Sequence, residues 1–146
     1  MQNYVSLVNT ISNERIVGIE LRYNNQLPLY IFCVYMPSDS DVILYNDTLC
    51  DIQSVFSHYC KIGTVIFAGD FNAQLDTDSR RTPLHQIFHS NAYTYVTARS
   101  RIDHIFIERS ASQMCTKYSV ADPHDVLSPI TCQYSLLSIT GLRKLM

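Results

Sequence analysis

Along the 146-residue chain the spacing of apolar positions changes several times, and each change predicts a new element. Two β-rich runs come first, Ile16 to Leu21 and Leu29 to Tyr35, and the turn-prone YNNQLP between them predicts a hairpin. From Ser40 the period lengthens. Tyr45, Leu49, Ile52, Phe56 and Tyr59 recur in steps of four and three, which places them on one face of a helix with Ser40 or Asp41 as N-cap. The apolar run Thr64 to Ala68 then predicts a buried strand, and Gly69 lets the chain turn where a side chain would obstruct it. Thr82 and Pro83 supply the cap and first turn of a short helix carrying Leu84, Ile87 and Phe88 inward. Strand-like runs return at Ala92 to Thr97, Arg101 to Ile107, Met114 to Val120 and Pro129 to Leu136.

Strands with two interspersed helices argue for α/β or α+β layers whose sheets share a core. No repeat, low-complexity tract or linker breaks the pattern, so residues 1–146 are expected to form a single domain. Composition supports a folded chain, with 47% hydrophobic and 16% charged residues. A net charge of -2 offers no global basic field for nonspecific nucleic-acid binding, so any attraction to phosphate is local. Arg80, Arg81, Arg99 and Arg101 are the candidates, against a default of solvated surface arginines. The five cysteines, odd in number and without zinc-site spacing, suit a reducing compartment. No signal-peptide pattern and no apolar run of roughly 20 residues is present, so the expectation is a soluble intracellular protein that is not secreted and meets no membrane.

Three segments carry candidate chemistry. In TVIFAGDFNAQL, a buried strand runs into Asp70 and Asn72, placing both at a strand exit, where α/β folds keep ligand sites. Turn chemistry alone also accounts for GDFN, since Gly, Asp and Asn each favour turns. In SRIDHIFI, Asp103 stands among Ile102, Ile105 and Ile107, where a carboxylate is costly unless paired or ligand-bound; the plainer alternative is a solvent-facing pair with Arg101. In CVYMPSDSD, Tyr35 closes a strand that Pro37 ends. His85 and His89 are a helical step apart but lack a third metal ligand, so a solvated helix face explains them. His104 follows Asp103 in a strand and faces away from it, as a half-buried core histidine.

Taken jointly, VYMPS at Val34 to Ser38, GDFNA at Gly69 to Ala73 and SRIDHIF at Ser100 to Phe106 resemble the endonuclease/exonuclease/phosphatase superfamily. Among its members the likeness is to the apurinic-like endonuclease domains of non-LTR (LINE-type) retrotransposons, and it covers roughly Arg15 to Tyr134. The resemblance implies a four-layer sandwich of two mixed β-sheets flanked by helices, with DNA as partner and magnesium or manganese as cofactor. It implies that Asp70 orients or activates the attacking water and contacts the metal, and that Asn72 stabilises the phosphoryl oxygens. Tyr35 would lie against the phosphate or leaving group, and Asp103 would orient a catalytic histidine. Ser38, Arg80, Arg81 and Arg101 would contact substrate, Ser38 standing where the family often has asparagine.

Two departures from the family pattern shape the functional expectation. Complete members carry an asparagine strand and a metal-binding glutamate segment before the region matched here, so an N-terminally truncated domain lacking the first strands is expected; Glu14 and Glu20 fall in the hairpin and are not promoted. Near the C-terminus HDVLSPITC runs Ser128 straight into Pro129, without the Asp-His pair of the family, and leaves His124 as a displaced base. The expected function is therefore metal-dependent hydrolysis of DNA phosphodiesters, weak or lost. The alternative is a noncatalytic remnant that binds nucleic acid or a protein partner. Nuclear residence follows from the family alone.

Overall fold

The computed structural model describes residues 4–9, 13–23, 26–38, 41–73, 81–90, 93–97 and 103–108. They build six strands and two helices in the order β1 (Tyr4–Val8), β2 (Ile16–Arg22), β3 (Leu29–Tyr35), α1 (Val42–Tyr59), β4 (Thr64–Asp70), α2 (Arg81–Ser90), β5 (Tyr93–Thr97) and β6 (Asp103–Glu108). One mixed sheet contains all six strands, in the spatial order β1-β2-β3-β4-β6-β5. The fold class is α/β, as the sequence predicts. The further strands expected at Met114 to Val120 and Pro129 to Leu136 lie outside the described residues.

The predicted hairpin is present, with β2 and β3 antiparallel and Ile16 opposite Val34. Strand β1, which the sequence reading did not include, pairs antiparallel with β2. Its sequence YVSLV is apolar, although Tyr4, Val5 and Leu7 are exposed. The link from β3 through α1 to β4 is a parallel crossover, the connection that parallel strands need a helix to make. Asp41 is the N-cap of α1: its Oδ1 accepts from the Leu44 amide at 2.9 Å. Residues Tyr45, Leu49, Ile52 and Tyr59 face inward as the period requires. Thr48 and Val55 join them, while Phe56 packs only partly against the core. Thr48 meets the cost of burying a hydroxyl locally, by donating to the Leu44 carbonyl at 2.7 Å.

Residues in register across a sheet share a face. Phe32 of β3 is in register with Phe67 of β4, and Phe67 with Phe106 of β6. This aromatic row belongs to the same buried core as Ile52 and Val55 of α1 and Leu84 and Phe88 of α2. Phe88 stacks on Phe106 with ring centroids 3.8 Å apart, which docks α2 onto the β6 end of the sheet. Gly18 faces Phe32 in the neighbouring strand, and a Cβ there would fall 2.4 Å from the ring. Ile66 and Ile107, also in register, are buried on the opposite face, so the sheet buries apolar side chains on both sides.

Two boundaries differ from the sequence prediction. Strand β4 runs on through Gly69 to Asp70, so Gly69 does not turn the chain. The expected obstruction is nonetheless there: at φ 144°, a Cβ on Gly69 would meet the Val34 carbonyl oxygen at 2.0 Å. Helix α2 begins at Arg81, which puts Thr82 in its first turn and not at its cap. Among the described residues strand β6 starts at Asp103; Arg101 and Ile102, which the prediction included, lie outside them.

Candidate active site

The functional candidates converge because of register. Tyr35, the last residue of β3, pairs with Asp70, the last residue of β4, and Asp70 pairs in turn with Asp103, the first of β6. Three residues distant in sequence thus occupy one row across the end of the sheet. Tyr35 is exposed and Asp70 is half-buried.

The segment following Asp70 has a separate reason for each residue. Phe71 is fully buried, its ring edge-on to Phe106 at 4.9 Å and to Phe88 at 5.9 Å. It anchors the loop in the core, so the polar residues on either side of it stay at the surface of the sheet end. Asn72 has φ 46°, a left-handed conformation that Asn tolerates better than most residues. Its amide N–H donates to Asp70 Oδ1 at 2.8 Å, which fixes the carboxylate. Its Nδ2 donates to the Met36 carbonyl at 2.7 Å, and the Met36 amide donates to the Asp70 carbonyl at 2.8 Å. The exits of β3 and β4 are therefore laced together through Met36.

Ala73 closes the loop, fully buried, with its carbonyl oxygen 2.7 Å from His104 Nε2. A carbonyl only accepts, so Nε2 carries the proton. His104 is 1% exposed, a fully buried histidine where the sequence reading expected a half-buried one. It faces the core because its register partner on β4 is Gly69, which leaves room for a ring.

In a search of solved structures, the chain is similar to the endonuclease domain of TRAS1, a telomere-specific non-LTR retrotransposon, with TM-score 0.68, 19% identity and coverage of 87% of this chain. It also matches the Neisseria 3′ phosphatase NExo bound to a product DNA hairpin, with TM-score 0.48, 15% identity and coverage of 88% of this chain and 66% of that one. A humanized D. rerio TDP2 matches with TM-score 0.46, 15% identity and coverage of 72% and 50%. The chain has the fold of a retrotransposon endonuclease domain. It spans 63% of that domain's length. No model of a protein family matches the chain, and no curated protein sequence matches it. The fold implied by the three motifs is thus found, at an identity that speaks for architecture alone.

Among the sequence-predicted site residues, the fold brings Tyr35, Asp70, Asn72 and Asp103 to one end of the sheet. Ser38 is exposed beyond the end of β3, and Arg81 opens α2. Arg80, Arg101 and His124 lie outside the described residues. Among the described residues no group of three or more His, Cys, Asp or Glu gathers as a metal cage. No described helix is long and apolar enough to cross a membrane.

One residue at this end of the sheet escaped the sequence reading. Arg15 lies opposite Tyr35, whose amide donates to the Arg15 carbonyl at 2.9 Å, and its guanidinium carbon stands 5.8 Å from the centre of the Tyr35 ring. The hairpin register supplies the signal that the sequence alone did not. Counting back along the hairpin from Ile16, the partner of Val34, puts Arg15 beside Tyr35.

Proposed function

We propose that the chain is a nucleic-acid phosphodiesterase whose site is the row formed by Tyr35, Asp70 and Asp103 together with Asn72. The observation that carries this reading is the register of Tyr35 with Asp70 and of Asp70 with Asp103, which assembles three distant motifs on a sheet end. The endonuclease fold supports it.

Asp70 is suited to orient a water, because the Asn72 amide holds one carboxylate oxygen and no described residue donates to the other. Its other oxygen is a hard donor, which fits magnesium or manganese, and Asp103 is the register partner of Asp70 on β6. Such an ion supplies neutralisation of phosphate charge. Asn72 commits one N–H to Met36 and keeps its second N–H for a phosphoryl oxygen, brought there without charge of its own. The exposed Tyr35 stands at the register position beside Asp70, and its hydroxyl is assigned to the phosphate or the leaving oxygen. In this reading Ser38, Arg80, Arg81 and Arg101 are DNA contacts.

Cleavage of a labelled DNA duplex, assayed with magnesium, with manganese and with EDTA, tests the reading. Cleavage that needs the ion and disappears in Asp70→Asn supports it. Salt-sensitive DNA binding by folded protein with no cleavage in any ion leaves a binding module and removes the phosphodiesterase.

A further inference from the structure

We propose that Arg15 is a DNA-phosphate-binding residue, held ready by Tyr35; this rests on the nucleic-acid reading of the site above. Its backbone is fixed on both sides. Asn13 Oδ1 accepts from the Arg15 amide at 2.9 Å and from the Ile16 amide at 2.8 Å, and the Arg15 carbonyl accepts from Tyr35. Asn13 is itself tied to α1, donating from Nδ2 to Asp51 Oδ2 at 3.1 Å. The start of β2 is thereby pinned between the helix and β3, and the side chain it bears is aimed over the Tyr35 ring.

That side chain has an unused donor. Among the described residues Arg15 Nε is buried without a hydrogen-bond partner and no carboxylate pairs with the guanidinium. A buried donor left unmade is costly, and more so on a charged group. An arginine held this way, against an aromatic face and with no described carboxylate to pair with, carries a positive charge that an anion would neutralise. The planar fork of the guanidinium matches phosphate oxygens two at a time. Neighbouring strands lie about 4.8 Å apart, so Arg15 sits two strand spacings, roughly 10 Å, from Asp70, with Tyr35 between them. It would therefore hold backbone phosphate on the Tyr35 side of the proposed site, while Asp70 faces the reacting group. This gives a chain of negative net charge a local cation at the position where DNA approaches.

The test is the salt dependence of DNA affinity, measured in EDTA so that cleavage does not enter. Arg15→Met keeps the stem and removes the charge together with the unpaired donor. Its melting temperature is expected to stay at or above that of the wild type, while the slope of log affinity against log salt becomes shallower by about 0.9, the loss of one phosphate contact. Affinity at low salt falls about tenfold. Arg15→Lys, which folds with the same stem, keeps the slope and loses affinity because it lacks the fork. Tyr35→Leu, which removes the ring under the guanidinium, lowers affinity further than Tyr35→Phe, which keeps the ring and loses only the hydroxyl. An unchanged slope in Arg15→Met from a chain that binds DNA overturns the inference and leaves the phosphodiesterase reading standing. No DNA binding by the wild type overturns both.

Discussion

His104 Nε2 and the carbonyl oxygen of Ala73 stand 2.7 Å apart inside the core, and this contact joins β6 to the far end of the Asp70–Ala73 loop. The ring's other nitrogen, Nδ1, is buried with no partner among the described residues. The proton thus resides on Nε2, and nitrogen-correlated NMR of the imidazole should show that tautomer. His104→Gln can still offer an N–H to Ala73 and is expected to be milder than His104→Leu. The leucine strands the carbonyl and should cost about 1–3 kcal/mol in denaturant unfolding. Equal losses in the two variants would show that volume, not the hydrogen bond, matters here.

Asn72 combines a left-handed backbone with a side-chain tie to Met36. Asn72→Gly relieves the backbone and breaks the tie, whereas Asn72→Ala breaks the tie and keeps the strain. Urea unfolding should therefore rank wild type, then glycine, then alanine, with alanine about 1–3 kcal/mol below wild type. Alanine as stable as glycine would mean that the φ of 46° carries no cost.

Gly69→Ala is expected to be the most damaging small change in the sheet. The added methyl would meet Val34 backbone at 2.0 Å, in a conformation that side chains rarely adopt. The obstruction is backbone and cannot rotate away, so β3 and β4 must separate where Tyr35 and Asp70 pair. A loss above about 4 kcal/mol, or no folded protein, is the expected result of thermal and urea melts. A melt within 1 kcal/mol of wild type would contradict the close approach.

Cys33 lies on β3 opposite Ala68 of β4, on the sheet face away from the helices. Although the residue is exposed, its surroundings desolvate the thiolate and raise its pKa above the usual 9.0. Below that pH both the folded and unfolded chains hold the proton, and the contribution to stability is complete. As pH climbs past 9.0 the unfolded chain ionises first, so stability should fall through the alkaline range until the folded thiol also ionises. Cys33→Ser should flatten that alkaline decline, and alkylation of Cys33 in the folded chain should rise only at higher pH than in urea. Matching pH profiles in the two states would remove the shift.

Much of this architecture was legible from residue order. The hairpin followed from two apolar runs around YNNQLP, and α1 from a helical period beginning after Asp41. Strand β1 was passed over although YVSLV is apolar; a run of five residues does not by itself announce the pairing with β2 that makes it a strand. The motifs located Tyr35, Asp70, Asn72 and Asp103, but sequence distance hides the register that puts them in a row. GDFN illustrates the limit well. Its turn propensity suggested a bend at Gly69, whereas the strand continues and Phe71 acts as a core anchor that no local propensity encodes. Arg15 was passed over because its meaning lies in the strand beside it.

The most direct test of the central claim is the initial rate of supercoiled-plasmid nicking in magnesium by the wild type, Asp70→Asn and Asp47→Asn. Asp70→Asn keeps an oxygen for the Asn72 amide and changes little but the charge, while Asp47 is an exposed carboxylate on α1 and serves as the control. We predict nicking by the wild type and Asp47→Asn and a rate at least 100-fold lower in Asp70→Asn, the scale of a lost general base. Equal nicking by wild type and Asp70→Asn, from proteins with matching melts, would contradict the placement of the chemistry at this end of the sheet.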